Sequence, residues 1–204
     1  MAGELHVIMG PMFSSKSSEL IRQVEKYTAL DIPVFVVNHS LDTRYCATSI
    51  GGRSVPGIYT HDGKRCEGVQ TADLSELFDI PAYANARIVC IDEGNFFKNL
   101  HRDVLLMVER DNKVVYVAGL NGTYDRKEFG EVLTLIPIAN SVTMLQSVCV
   151  DCKDGKTPAI FTKLKNIDTA DNSSIINPSN PKSSIQIGGK DTYKPVCRYH
   201  FNKN

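Results

Sequence analysis

The 204-residue chain carries no excess of charge of either sign, because 23 Lys plus Arg balance 23 Asp plus Glu. A neutral sum leaves no electrostatic footprint for a long polyanion, and no stripe of alternating aromatic and basic residues offers itself to single-stranded bases. A nucleic-acid partner is therefore not expected. Long apolar runs are missing as well. The opening MAGELHVIMGP has no basic n-region and no apolar stretch of signal-peptide length, and no later segment approaches a membrane span. The expectation is a soluble, cytoplasmic protein with no membrane partner. There is no internal repeat, and no Asn-Lys-x-Asp stretch of the kind that reads guanine in GTPases. Six cysteines without an export signal point to metal ligands or free thiols before disulfides.

The length suits one ordinary domain with a small appendage. Leu5 to Met9 is a short apolar run that Gly10 ends, as in a buried strand. From Lys16, apolar residues Leu20, Ile21, Val24 and Tyr27 recur at helical spacing, until Asp31 and Pro33 break the pattern before a second strand at Val34 to Asn38. Strand, tight loop, helix, strand is the start of a parallel sheet with a crossover. Tyr45 to Gly68 is polar and glycine-rich and reads as a surface loop. Ala86 to Asp92 and Val114 to Gly119 are near-continuous apolar strands, suited to burial on both faces, with a helix over Asn99 to Arg110 between them. The fold class expected is α/β, an open parallel sheet with flanking helices over residues 1–145. Residues 146–204 hold few core residues for their length and read as a small metal-stapled lobe with a long polar loop.

Gly10-Pro11-Met12-Phe13-Ser14-Ser15-Lys16-Ser17 misses a phosphate-loop signature by one letter, since Ser15 stands where the second glycine is usual. Between a strand and a helix, such a loop aims backbone N–H groups and the helix N-terminus at phosphates. Lys16 would reach the terminal phosphates and the Ser17 hydroxyl a Mg²⁺ ion. A strained non-glycine residue at Ser15 costs ~1–3 kcal/mol, which a functional site tolerates. Asp92-Glu93 at the end of a buried strand supplies the acids of a phosphoryl-transfer centre, an aspartate for the metal and a neighbour for the acceptor proton. By itself a strand ending in two acids is commonplace, and it is the phosphate loop that gives the pair a role. A small-molecule kinase is the reading favoured.

Cys149-x-x-Cys152 and Cys197-x-x-His200 are two matched half-sites that together fill a tetrahedral Zn²⁺ shell with no open position, a structural and not a catalytic site. Taken alone, the first pair would also fit a redox couple or a disulfide. Cys90 is a core residue, and Cys46 and Cys66 suggest no site.

Taken in order, GPMFSSKSSEL, DTRY (Asp42 to Tyr45), YTHD (Tyr59 to Asp62), IDEGNFF (Ile91 to Phe97), GLNGTYDRKEFG (Gly119 to Gly130), the Cys149/Cys152 pair and GGKDTYKPVCRYH resemble the thymidine kinases of animal cytosol, poxviruses and many bacteria. The resemblance spans nearly the whole chain. It implies transfer of the γ-phosphoryl group of ATP to the 5′-hydroxyl of thymidine or deoxyuridine, a homotetramer (or a dimer), feedback inhibition by dTTP, and a lasso-like loop on the zinc lobe. It makes Glu93 the general base, Asp92 a metal-associated acid, Asp42 part of a Mg²⁺–water network and Arg44 a phosphate contact, with Gly10 through Ser18 binding ATP. Met12, Phe96, Leu120, Tyr124 and Phe129 would wall the thymine ring, while Thr162, Ile187, Gly188 and Tyr193 belong to the lasso and its base. Read without the resemblance, those side chains are ordinary core candidates. The sequence departs from the family pattern at Ser15, Ser18, Asn95 and Asn121, and in a longer stretch from Cys46 to Ile58. The readings that compete are a kinase for another small nucleoside and a non-catalytic nucleotide- or nucleic-acid-binding protein with a zinc lobe.

Overall fold

A computed structural model describes residues 2–42, 56–60, 63–165, 188–189 and 191–203. The chain opens with β1 (Glu4–Gly10), the helix α1 (Lys16–Thr28) and β2 (Val34–His39). Three short strands follow, β3 (Gly57–Tyr59), β4 (Arg65–Glu67) and β5 (Val69–Thr71), then α2 (Pro81–Asn85) and β6 (Ile88–Ile91). Next come α3 (Leu100–Leu105), β7 (Val114–Leu120) and β8 (Ser141–Met144). The last part holds β9 (Ser147–Val148), β10 (Pro158–Ala159), β11 (Phe161–Leu164), β12 (Tyr193–Val196) and α4 (Arg198–Asn202).

Six strands form one sheet in the order β5-β2-β6-β7-β1-β8, with every neighbouring pair parallel. This is the open parallel sheet expected. Its central strands are apolar on both faces because both faces are covered. On one side Leu20, Ile21 and Val24 of α1 close over Ile8, Val36, Cys90 and Ala118. Each of those helix side chains contributes roughly 1.5–3 kcal/mol by burial, so α1, and the loop before it, are fixed to the sheet. On the other side Leu100, Val104 and Met107 pack with Val7, Val37, Ile91 and Val117.

The helical stretch after Asn99 is α-helical only to Leu105, then widens to a π turn over Leu106–Arg110 that ends with the Asp111 N–H bonded to the Leu106 carbonyl. The stretch read as a surface loop from Tyr45 to Gly68 contains a small antiparallel hairpin, β3 with β4, and Ile58 within it is fully buried against the α1 side of the sheet. Three-residue strands are too short to show period-two alternation, which is why the hairpin left no pattern to read. The segment over residues 146–204 contributes its own small cluster, Cys149, Ala159, Val196 and Cys197, carried on two two-stranded sheets, β9 with β10 and β11 with β12.

Candidate active site

Parallel strands end together, so their C-terminal loops converge on one rim of the sheet. Gly10 closes β1 where a Cβ would lie 2.5 Å from the Leu145 carbonyl oxygen and 2.6 Å from Ser14 Oγ, so only glycine fits. The loop then wraps on itself, with Ser14 Oγ and Lys16 Nζ donating to the Pro11 carbonyl at 2.8 and 2.7 Å. Two of its residues, Phe13 and Ser15, sit in left-handed backbone, both at φ 63°. Ser15 thus holds the conformation that explains why glycine is usual there. Its side chain is exposed and makes no capping bond, while its carbonyl starts α1 by accepting from Glu19 N at 3.0 Å. Ser17 and Ser18 lie in the first turn of α1.

Asp92 follows β6 directly and is 3% exposed. Its Oδ1 accepts from the Glu93 N–H at 3.0 Å, and the Ser17 hydroxyl lies near enough to favour the ionised carboxylate. The acid pair thus stands beside the first turn of α1. Burial pushes the Asp92 carboxyl up to about 7, reinforced by the charges of Glu93 and Asp42 and opposed by the nearby Ser17 hydroxyl and the Glu93 N–H. Asp92 feels the charges of both Glu93 and Asp42, and the three carboxylates, like the Ser17 hydroxyl, offer hard oxygen, the donor type that Mg²⁺ takes. Glu93 stands in left-handed backbone at φ 53°.

Asp42 is buried and tightly held. Its N–H donates to the His39 carbonyl at 2.9 Å, its Oδ2 accepts from Asn38 Nδ2 at 3.1 Å, and its carbonyl accepts from Gln70 Nε2 at 3.3 Å. Arg44 lies outside the described residues.

Of the residues expected around thymine, the structure pairs Phe96 with Phe129, edge to face at 5.4 Å between ring centres, and Tyr124 with Tyr193 at 6.2 Å. Met12 meets Thr162, whose Oγ1 accepts from the Met12 N–H at 3.0 Å, so β11 is bonded to the phosphate loop. Leu120 ends β7, where its N–H is held by Asn95 Oδ1 at 2.9 Å. Gly188 is described next to Thr192, and Ile187 lies outside the described residues, as does most of the lasso. Asn38, His39 and Gln70 were not singled out from sequence. The signal for Asn38 was present in VFVVNH, where a polar residue follows an apolar run at the end of a buried strand.

Behind the rim, Cys149, Cys152, Cys197 and His200 bring one ligand atom each within 4.8 Å of all the others. His200 Nδ1 is 3.6, 3.4 and 3.4 Å from the three sulfurs, and Cys152 and Cys197 Sγ are 3.8 Å apart. A tetrahedron with Zn–S bonds of about 2.3 Å has S···S edges of about 3.8 Å, so the four side chains are spaced for zinc. Among the described residues no other group of three or more such side chains gathers in this way.

A phosphate loop at the end of a parallel strand, with a buried strand-end aspartate beside its serine, defines a nucleotide-binding protein built for phosphoryl transfer. The family model described as thymidine kinase matches residues 3–201. The chain is 38% identical over 206 aligned positions to thymidine kinase a of Arabidopsis thaliana, covering 100% of this chain and 76% of that protein. It is likewise 38% identical over 197 residues to the thymidine kinase of Sheeppox virus, covering 96% and 95%. With the cytosolic thymidine kinase of Gallus gallus it shares 35% over 196 residues, covering 96% and 75%. The chain belongs to the thymidine kinase family.

Proposed function

We propose that this protein transfers the γ-phosphoryl group of ATP to the 5′-hydroxyl of thymidine, and of deoxyuridine, through the residues assembled on the sheet rim. The observation that carries this reading is the placing of the Ser17 hydroxyl, in the first turn after the phosphate loop, beside the buried Asp92 carboxylate at the end of β6. The loop amides and Lys16 hold the ATP phosphates, and Arg44 adds a further phosphate contact. Glu93 accepts the proton of the 5′-hydroxyl as its oxygen attacks the γ-phosphorus, and ADP leaves with the electrons of the broken bond. Asp92, Asp42 and Ser17 would hold Mg²⁺, which would balance phosphate charge when bound. Met12, Phe96, Leu120, Tyr124 and Phe129 enclose the base, with Thr162, Ile187, Gly188 and Tyr193 closing the other side. The four sulfur and nitrogen ligands would hold a structural Zn²⁺ that ties the ends of the polar segment between Cys152 and Cys197.

Self-association belongs to the same proposal, a homotetramer or a dimer. The edge strand β8 is exposed along all four residues, and Ile136, Val142, Met144, Val148 and Val150 are each more than 40% exposed. An unprotected apolar sheet edge is unfavourable in a monomer. Inhibition by dTTP and a cytoplasmic location are proposed on the family relationship. No helix among the described residues is long and apolar enough to cross a membrane. The test is to incubate the zinc-loaded protein with Mg·ATP and a panel of nucleosides. Thymidine monophosphate and ADP should appear in equal amounts, and a folded protein that formed neither would overturn the assignment.

A further inference from the structure

We propose that Asn38 is a positioning residue for the reaction, fixing the Asp42 carboxylate through an amide whose hydrogen-bonding capacity the fold uses from both ends. Asn38 is 1% exposed, the fifth residue of β2. Its Nδ2 donates to Asp42 Oδ2 at 3.1 Å and to the Gly57 carbonyl at 3.0 Å, and its Oδ1 accepts from the His39 N–H at 2.8 Å. Both amide hydrogens and the carbonyl oxygen are thus engaged, and only a side chain with two donors and an acceptor at this length satisfies all three partners.

The neighbouring groups make the arrangement stiff. The His39 ring accepts the Leu41 N–H at Nδ1, at 3.0 Å, and is wedged edge-on against Phe97 at 4.5 Å between ring centres. The Asp42 N–H bonds back to the His39 carbonyl, so residues 39–42 form one closed turn. Gly57, the other acceptor, is held by the hairpin, where a Cβ would lie 2.1 Å from the Cys66 carbonyl oxygen. Asn38 therefore reads its position from a rigid hairpin on one side and imposes it on Asp42 on the other. A buried carboxylate with two equivalent oxygens needs a donor on one of them to define which way the other faces, and a side chain beyond the metal's own ligands commonly does this. Nothing in a purely structural role requires the donor to fall on the carboxylate of Asp42.

The inference rests on the Mg²⁺–water role proposed for Asp42, and the experiment separates the two. Asn38→Leu, which keeps the branched shape and removes every polar side-chain atom, and Asn38→Asp, which sets a second carboxylate against Asp42, are compared with Asp42→Asn. The readouts are Mg²⁺ titrations at fixed ATP, kcat, the KM for thymidine and thermal melts. Both Asn38 variants should raise the Mg²⁺ needed for half-maximal rate and lower kcat about tenfold, the usual size for losing a partner one shell behind a metal. The thymidine KM should stay within about twofold, because the amide's partners are Asp42, Gly57 and His39 and none of them belongs to the base wall. Asn38→Asp remains informative should Asn38→Leu fail to fold. Variants that melt lower yet titrate with Mg²⁺ like the parent, beside an impaired Asp42→Asn, would overturn the positioning role alone. An Asp42→Asn protein with unchanged Mg²⁺ dependence would overturn the role of Asp42 and this inference with it.

Discussion

Replacing Ser15 by glycine tests the geometry of the phosphate loop directly. Ser15 stands at φ 63°, ψ 28°, caps α1 without a side-chain hydrogen bond, and is exposed. Left-handed backbone costs an L-residue about 1–2 kcal/mol, which glycine avoids. Glycine gives back roughly 0.5–1 kcal/mol through the larger freedom of its unfolded chain. The balance is a gain of about 0.5 kcal/mol, a rise in Tm of about 1–2 °C for a chain of this size. Ser15→Ala should show no such gain, because alanine keeps the strain while losing only a hydroxyl without a partner. Melting curves of the three proteins measure the difference, and the KM for ATP shows whether the relief grows on binding. A KM that falls only in the glycine variant would mean that phosphate pulls residue 15 further into glycine-only backbone. The reasoning fails if Ser15→Gly loses activity or melts several degrees lower than the parent, since the serine would then be making a contact with a use of its own.

Glu93→Gln should lower kcat by ~10²–10⁴-fold with ATP binding little changed, in steady-state kinetics and an ATP titration. An active variant would move the base role to Asp92. Thr162→Val keeps shape but leaves the buried Met12 N–H without its acceptor, at a cost of about 1–3 kcal/mol. The melting point should fall and the KM for ATP rise, and an unchanged KM would remove β11 from the loop's support. Chelating zinc should weaken thymidine binding before ATP binding, because Cys149, Cys152, Cys197 and His200 fasten the segment that carries Tyr193 and not α1. Elemental analysis with a thiol count checks the metal itself. A metal content near zero with Cys149 and Cys152 oxidised would discard the site.

The parts of the fold that could be read from sequence are those where one physical requirement dominates. β1, α1 and β2 were readable to within a residue because burial on both sheet faces writes an apolar run and helix amphipathicity writes a 3.6-residue period. β8 was not readable. Its SVTM is exposed at every position, so it has no buried face to impose a pattern, and only pairing with β1 makes it a strand. The gathering of Cys149, Cys152, Cys197 and His200 was legible because a tetrahedral metal shell fixes the spacing of such half-sites along the chain. VFVVNH shows a polar residue at the end of a buried strand, but what Asn38 does there depends on Gly57, whose place is set by how β2 meets the β3–β4 hairpin.

Backbone strain marks the site in a way composition could not. Eight non-glycine residues of the described chain have positive φ. Asp31, Asn99 and Asn112 are of the types that tolerate left-handed backbone and sit at helix ends or turns, where such residues are common. The other five, Phe13, Ser15, Glu93, Arg126 and Lys153, have no such excuse. Two lie in the phosphate loop, one is the proposed base, one is in the loop between Tyr124 and Phe129, and one follows Cys152 directly. Each would be relieved by glycine, asparagine or aspartate, and in each the chain has kept a residue that strains the backbone. Strain of this kind persists only where the surroundings hold it in place, here the loops that follow β1, β6 and β7 and the turn after Cys152. Local sequence preference therefore fails at the very loops where the chemistry is placed, and succeeds in the strands that carry them.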